Sequence, residues 1–166
     1  SAEESLVEVA HLMATLVEQA SPDDQTIDVD ALEPLFKSVY ARNVDAEIFG
    51  FHKSGVELRL VVTDRKGIVL YDSMERHVGE DYSAWRDVRL TLKGEYGART
   101  SPDVDDDPST SVMYVGAPIR LGNGIAGVVS AGKPVISLNQ FIVAARRKTL
   151  IVGAASAAAM ALLMAL

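Results

Sequence analysis

Two long apolar runs, Ser111 to Arg120 and Ile125 to Lys133, flank Leu121-Gly122-Asn123-Gly124, and no other stretch limits the fold so sharply. Asn-Gly between apolar runs is the strongest short-range hairpin signal, because a tight turn between strands needs backbone with positive φ. The runs predict two long antiparallel strands around which the rest of the chain must be arranged. Gly122-x-Gly124-x-x-Gly127 also matches the letters of the dinucleotide-binding fingerprint. That motif requires a helix after the glycines, so that its N-terminus faces the pyrophosphate. Here Val128-Val129-Ser130-Ala131 continues as strand, and the positions some twenty residues on are apolar or basic, not acidic. The nucleotide reading is set aside.

A second hairpin precedes this one. Val56, Leu58, Leu60 and Val62 alternate with Glu57, Arg59 and Val61, the period of a strand with one buried face. Asp64-Arg65-Lys66-Gly67 then reads as a turn with Gly in the left-handed position, and Ile68 to Ser73 as the partner strand. Ser83 to Lys93 predicts a short helix with Trp85, Val88 and Leu92 on one face, closed by Gly94, and Thr100 to Ser111 a solvated loop. Two helices come before any strand. Glu3 to Gln19 carries Leu6, Val9, Met13, Leu16 and Val17 in a near-heptad stripe, and about Asp30 to Ala41 carries Leu32, Leu35, Phe36, Val39 and Tyr40. This order predicts an α+β domain: a central antiparallel sheet of about five strands, a long N-terminal helix packed on one side, and an exit helix from about Val135.

Thr149 to Leu166 holds no charge and follows Arg146, Arg147 and Lys148. At about 1.5 Å per residue it would span roughly 27 Å, close to a bilayer core of about 30 Å, so it reads as the start of a transmembrane helix over about 149–166. Seven alanines leave a buried Ala-rich helix as the alternative, and Gly153, Ala157 and Ala161 form a small-residue ridge suited to close helix approach. The first residues show no basic and apolar pattern of a secretory signal. With 23 acidic against 16 basic residues, net charge −7, the chain offers no electrostatic footing for nucleic acid. The absence of cysteine removes disulfides, thiolate nucleophiles and Cys-ligated metals.

Few residues suggest chemistry. Asp103, Asp105, Asp106 and Asp107 resemble the opening of a calcium loop, but Pro108 stands where Gly is needed and Tyr114 where a bidentate Glu is needed. A solvated acidic loop is expected, with no metal and no cofactor. His11, His52 and His77 are scattered without metal spacing or a nucleophile nearby, which leaves a membrane-tethered hydrolase poorly supported. The cations and aromatics of the second half are more informative. Arg99 and Lys133 adjoin strands or turns, Tyr71, Ser73 and Tyr114 lie in or beside strands, and Trp85 sits on the short helix. A sheet cradle with a few convergent donors is what an anionic small ligand needs, so these six are the candidate ligand-binding residues.

Val61-Val62-Thr63-Asp64-x-x-Gly67-Ile68-Val69-Leu70-Tyr71-Asp72-Ser73 resembles the central hairpin of extracytoplasmic PAS-like (Cache, or PDC) sensor domains. The following Val78-Gly79-Glu80-Asp81-Tyr82-Ser83-Ala84-Trp85 and Gly94-Glu95-Tyr96-Gly97-Ala98-Arg99 strengthen the likeness. Together with Ser111-Val112-Met113-Tyr114-Val115-Gly116-Ala117-Pro118-Ile119 and Gly127-Val128-Val129-Ser130-Ala131-Gly132-Lys133-Pro134, they make the sequence resemble the sensory region of CreC-type two-component sensor histidine kinases, over about residues 56 to 140. The resemblance implies a periplasmic sensing domain in the cell inner membrane. Its divisions would be a dimer helix at 1–20, a PAS-like sensor domain at 21–140, and an exit helix leading into the membrane at 141–166. It also implies a homodimer, a small-molecule ligand or periplasmic protein as input, a response regulator as the parent kinase's partner, and no catalysis by this region itself. A ligand-free interaction or dimerisation module is the alternative. Arg146, Arg147 and Lys148 would lie on the periplasmic side, against the usual placement of basic flanks, so a preceding first helix is expected to set the orientation.

Overall fold

The computed structural model describes residues 1–22, 25–42, 46–48, 51–53 and 55–135. The exit helix beyond Val135, the apolar tail at 149–166 and the side chain of His52 lie outside the described residues. Among the described residues no helix is long and apolar enough to cross a membrane.

Two helices open the chain, α1 (Ala2–Gln19) and α2 (Val29–Tyr40), followed by a two-stranded antiparallel sheet of β1 (Ala46–Ile48) and β2 (Phe51–Lys53). The main sheet holds β3 (Arg59–Asp64), β4 (Val69–Asp72), β5 (Ala98–Pro102), β6 (Ser111–Leu121) and β7 (Gly124–Pro134), in the order β4-β3-β7-β6-β5 and antiparallel throughout. α3 (Arg86–Leu92) joins β4 to β5, and a short 3-10 turn, Pro108–Thr110, precedes β6. The α+β class and the five-stranded antiparallel sheet stand as expected.

The β6–β7 hairpin runs from Leu121↔Gly124 to Val112↔Pro134 across the middle of the sheet. Its turn residues are Gly122 and Asn123, and of the two only Gly122 has positive φ, at +58°. The glycine at the first central position makes the turn, rather than the Asn-Gly pair that drew attention to it. Gly127 lies inside β7 facing Thr63 O and Ile27, where a Cβ would collide, which is a packing reason for the third glycine. Gly67, at φ +86°, closes the β3–β4 turn as its sequence predicts.

Periodicity misjudges β3. The strand begins at Arg59, not Val56, and Leu60, Val61, Val62 and Thr63 are all buried, so both of its faces are covered. On one face, Leu60 and Val62 join Val115, Ala117, Ile119, Val129 and Ala131 beneath Leu6, Ala10, Ala14 and Val17 of α1 and Leu32 and Phe36 of α2. On the other, Val61 and Val128 pack with Val69, Tyr82 and Val88 of α3. The α1 stripe is correspondingly split. Leu6 and Val17 point inward as expected, but the buried line continues through Ala10 and Ala14, leaving Leu12 and Leu16 on the outer side with Leu12 63% exposed. Tyr96 donates to Glu3 at 2.5 Å and the Arg120 amide to Glu18 at 2.8 Å, which pins the start of α1 to the turn before β5 and its end to β6.

The expected loop at 100–111 is also shorter. Thr100 to Pro102 belong to β5, which pairs with β6 from Ala98↔Val115 to Pro102↔Ser111. Arg99, Thr100 and Ser101 lack the apolar alternation that marks the other strands, so this edge strand carries little period signal.

Candidate functional site

Alternation of side chains in a strand assigns each residue of the sheet to one face. On the face away from α1, one transverse row runs Arg59 (β3), Gly132 (β7), Tyr114 (β6) and Arg99 (β5), each opposite the next in register. A Cβ on Gly132 would strike the Tyr114 ring, so the glycine gives the ring its place on the sheet between the two arginines.

α3 is set against this face by two further glycines. A Cβ on Gly97 would come 2.6 Å from Asp87 O, and one on Gly116 would meet Thr91. The close approach delivers Asp87, fully buried, to Arg99 Nε at 2.7 Å and to the Ser130 hydroxyl at 2.5 Å. Arg99 also donates to the Ser101 hydroxyl. Its guanidinium carbon lies 4.2 Å from the Tyr114 ring centroid, 4.5 Å from that of Trp85 and 5.9 Å from that of Tyr82, all within cation–π reach. Burial pushes the Tyr82 phenol up to about 12, with Arg99 pulling the other way.

The row's other end meets the β5–β6 loop. Asp103 Oδ1 lies 2.8 Å from Arg59 Nη1 and 2.7 Å from Arg76 Nη2. Burial raises the Asp103 carboxyl, and the guanidinium groups of Arg59 and Arg76 outweigh it, holding the group below its ordinary value. Asp72, also buried, accepts the amides of Met74, Arg76 and His77 and so shapes the loop that presents Arg76. In the acidic run, Asp103 is engaged by arginines and Asp107 caps the 3-10 turn through the Ser109 amide. Among the described residues no group of acidic or histidine side chains is arranged to hold a metal.

The six candidate residues do not converge. Trp85, Arg99 and Tyr114 form one cluster on this polar face. Tyr71 lies on the opposite face, its ring 4.8 Å from Phe36, with its phenol pushed up to about 12 by burial and neighbouring acidic groups. Ser73 accepts the Leu60 amide at 3.0 Å and extends the β3–β4 ladder. Lys133 pairs with Met113 and shares the α1 face with Ala131, two residues before it. A cleft of about 300 Å³ lies at the end of the sheet, lined by Ile27, Asp64, Arg65, Lys66 and Leu70 among others, and none of the six reaches it. Sequence reasoning missed Asp87, Ser130, Arg59, Arg76 and Asp103. Asp87 beside the apolar helix face and Ser130 inside an apolar strand were the available signals, since lone polar groups in buried runs need partners.

No family model matches the chain. It is 41% identical over 150 residues to the sensor protein CreC of Escherichia coli (strain K12), taking in 89% of this chain and 31% of that protein. The chain thus spans about a third of the curated relative it matches. Among solved structures, the E. coli DcuS sensor domain overlays with a TM-score of 0.49 at 18% identity, covering 84% of this chain and 92% of that one. The likeness read from the hairpin and loop motifs is shown as a match along most of the sequence.

Proposed function

We propose that this chain is the extracytoplasmic sensing region of a membrane-bound two-component sensor histidine kinase of the CreC type. The observation that carries this reading is the continuity of the likeness to CreC along nearly the whole chain. On this reading the region binds and transmits, and performs no chemistry itself. Phosphoryl transfer to a response regulator belongs to the parent kinase.

The arrangement suits such a task. The polar face couples β3, β6, β7 and β5 to α3 through a few charged groups, so a ligand or stress acting there biases one packing of α3 and β7 against another. β7 ends at Pro134, and the segment 141–166 leads from it into the inner membrane. Val9, Leu12 and Leu16, set along the side of α1 that turns away from its buried line, support a homodimer through residues 1–20. Residues 21–140 form the periplasmic sensor domain.

Trp85, Arg99 and Tyr114 are the strongest of the ligand-binding candidates, because an arginine framed by aromatic rings suits an anion with an apolar body. Tyr71, Ser73 and Lys133 belong to the other face. A second reading, a ligand-free module driven by a protein partner, is favoured by one specific observation: Arg99 already has its carboxylate in Asp87.

Thermal denaturation of the chain with carboxylates, phosphates, sugars and amino acids separates the two. A ligand at 100 times its Kd stabilises by about 2.7 kcal/mol. Loss of that increment in Arg99→Ala but not in Lys133→Ala supports sensing on the polar face, and a flat panel supports the protein-driven module.

A further inference from the structure

We propose that Arg59 and Arg76 form a receptor for a small oxyanion, and that Asp103 occupies it as an internal stand-in whose displacement frees the 103–110 loop. This rests on the sensing reading above and adds to it a second anion site, its ligand class and the way occupancy is reported.

The geometry is that of a ligand carboxylate rather than a structural ion pair. Two guanidinium groups from separate elements, β3 and the loop after β4, converge on one oxygen, Asp103 Oδ1. The contact is not sealed from water: the Arg59 and Asp103 side chains are 17% and 22% exposed and that of Arg76 is 40% exposed, so a mobile anion can reach them. A free carboxylate or phosphate, not tethered to a backbone, turns to take both guanidinium groups bidentately, the geometry in which arginine binds oxyanions best.

Asp103 sits where its release is felt. Its amide and that of Val104 donate to the Thr110 hydroxyl, closing a tip that carries Asp105, Asp106 and Asp107. Four carboxylates in five residues repel one another, and among the described residues Asp103 is the one of them that arginine neutralises. Directly before it, β5 carries Ser101 and Arg99, which lead to Asp87 and α3. An anion that takes the arginines leaves the acidic tip without its anchor at the end of the strand that holds the Arg99–Asp87 pair. Competition between a mobile anion and a tethered one gives a two-state device whose open form is scarce without ligand.

The test is titration of the chain and of Asp103→Asn with acetate, succinate and inorganic phosphate at constant ionic strength. Binding is followed by calorimetry and by the amide NMR signals of Asp103, Val104 and Thr110. If the latch is open in about a tenth of molecules or fewer, removing it tightens binding about tenfold or more. The proposal expects that gain for at least one anion, its loss on adding Arg76→Ala, and ligand-induced shifts at Thr110 in the unmutated chain. Selectivity between the carboxylates and phosphate identifies the source of the oxyanion. Equal affinity in Asp103→Asn and the unmutated chain, or no binding of any of the three to either, overturns it. Should Asp103→Asn fold poorly, unmoved Thr110 signals in the unmutated chain at saturating anion overturn it too. Sensing on the Arg99 side survives either failure if another ligand class still stabilises the chain in an Arg99-dependent way.

Discussion

The two faces of the central sheet are built on opposite principles. The face under α1 and α2 is a continuous apolar core in which Phe36, Leu32, Leu60, Val17 and Ile119 are almost wholly withdrawn from water. The face under α3 has a small apolar cluster, Val61, Val69, Tyr82, Val88 and Val128, and beside it a charged row in which Asp87, Arg99, Arg59 and Asp103 satisfy one another. Dispersion and hydrophobic burial are non-directional and tolerate small displacements. A network of charges in low dielectric has a few discrete arrangements. One face therefore holds the fold, and the other is suited to being rearranged.

The largest effect expected from this contrast is at Phe36. Its side chain is fully buried against Tyr71 and the sheet, and Phe36→Ala should cost about 3–5 kcal/mol, read as a fall in the urea midpoint with unchanged slope. A loss under about 1 kcal/mol would mean that the α2 contact is peripheral and that the two faces are more alike than their composition suggests.

Asp87→Ala should come next, at about 3 kcal/mol, because it strands Arg99, whose side chain is 11% exposed, and leaves the Ser130 hydroxyl unpaired. The comparison sharpens with the double variant Asp87→Leu/Arg99→Met. Replacing both charges by apolar groups of similar size is often near neutral, so the double variant should recover most of the loss, whereas no second substitution on the α1 face compensates Phe36→Ala. Additive losses at Asp87 and Arg99 would show that the pair is not a coupled unit.

The same division decides what was legible in the sequence. The apolar face was readable in outline: the β6–β7 hairpin follows from its apolar runs and glycine turn, and the Leu32–Phe36 pair of α2 from periodicity, while in α1 only Leu6 and Val17 of the expected stripe are buried and Ala10 and Ala14 complete the line. β3 was misread in its detail, since Leu60 to Thr63 are buried on both sides and a doubly buried strand loses its alternation. β5 was half missed, since an edge strand reading Ala-Arg-Thr-Ser-Pro carries polar positions in place of an apolar period, and Arg99 finds its carboxylate on α3. The site was legible to the extent of Trp85, Arg99 and Tyr114. Tyr71, Ser73 and Lys133 were grouped with them because sequence proximity to a strand does not say which face a residue joins until register is known. Asp87 and Asp103 are invisible as partners for the same reason, being 12 residues from Arg99 and 44 from Arg59 respectively.

The smallest effect is also the most diagnostic of the polar face, because the apolar face cannot produce it. Asp103 has a folded-state carboxyl held below its ordinary value by Arg59 and Arg76, so its contribution is fully present above the unfolded value of about 3.9 and is lost as pH falls through the lower folded value. In Asp103→Asn that titration is gone. The stability difference between the unmutated chain and Asp103→Asn should be constant above about pH 5 and shrink below about pH 4, with an amplitude of about 1 kcal/mol because the pair is partly solvated. Chemical denaturation at a series of pH values reads it directly. Phe36→Ala, which removes no titrating group, should instead lower the whole curve by the same amount at every pH. Parallel curves for Asp103→Asn would mean that the carboxylate is not held by the arginines in solution. Convergence in acid would mark the Arg59–Asp103–Arg76 contact as a weak, separable interaction, weak enough for a competing anion to replace it while the opposite face keeps the domain folded.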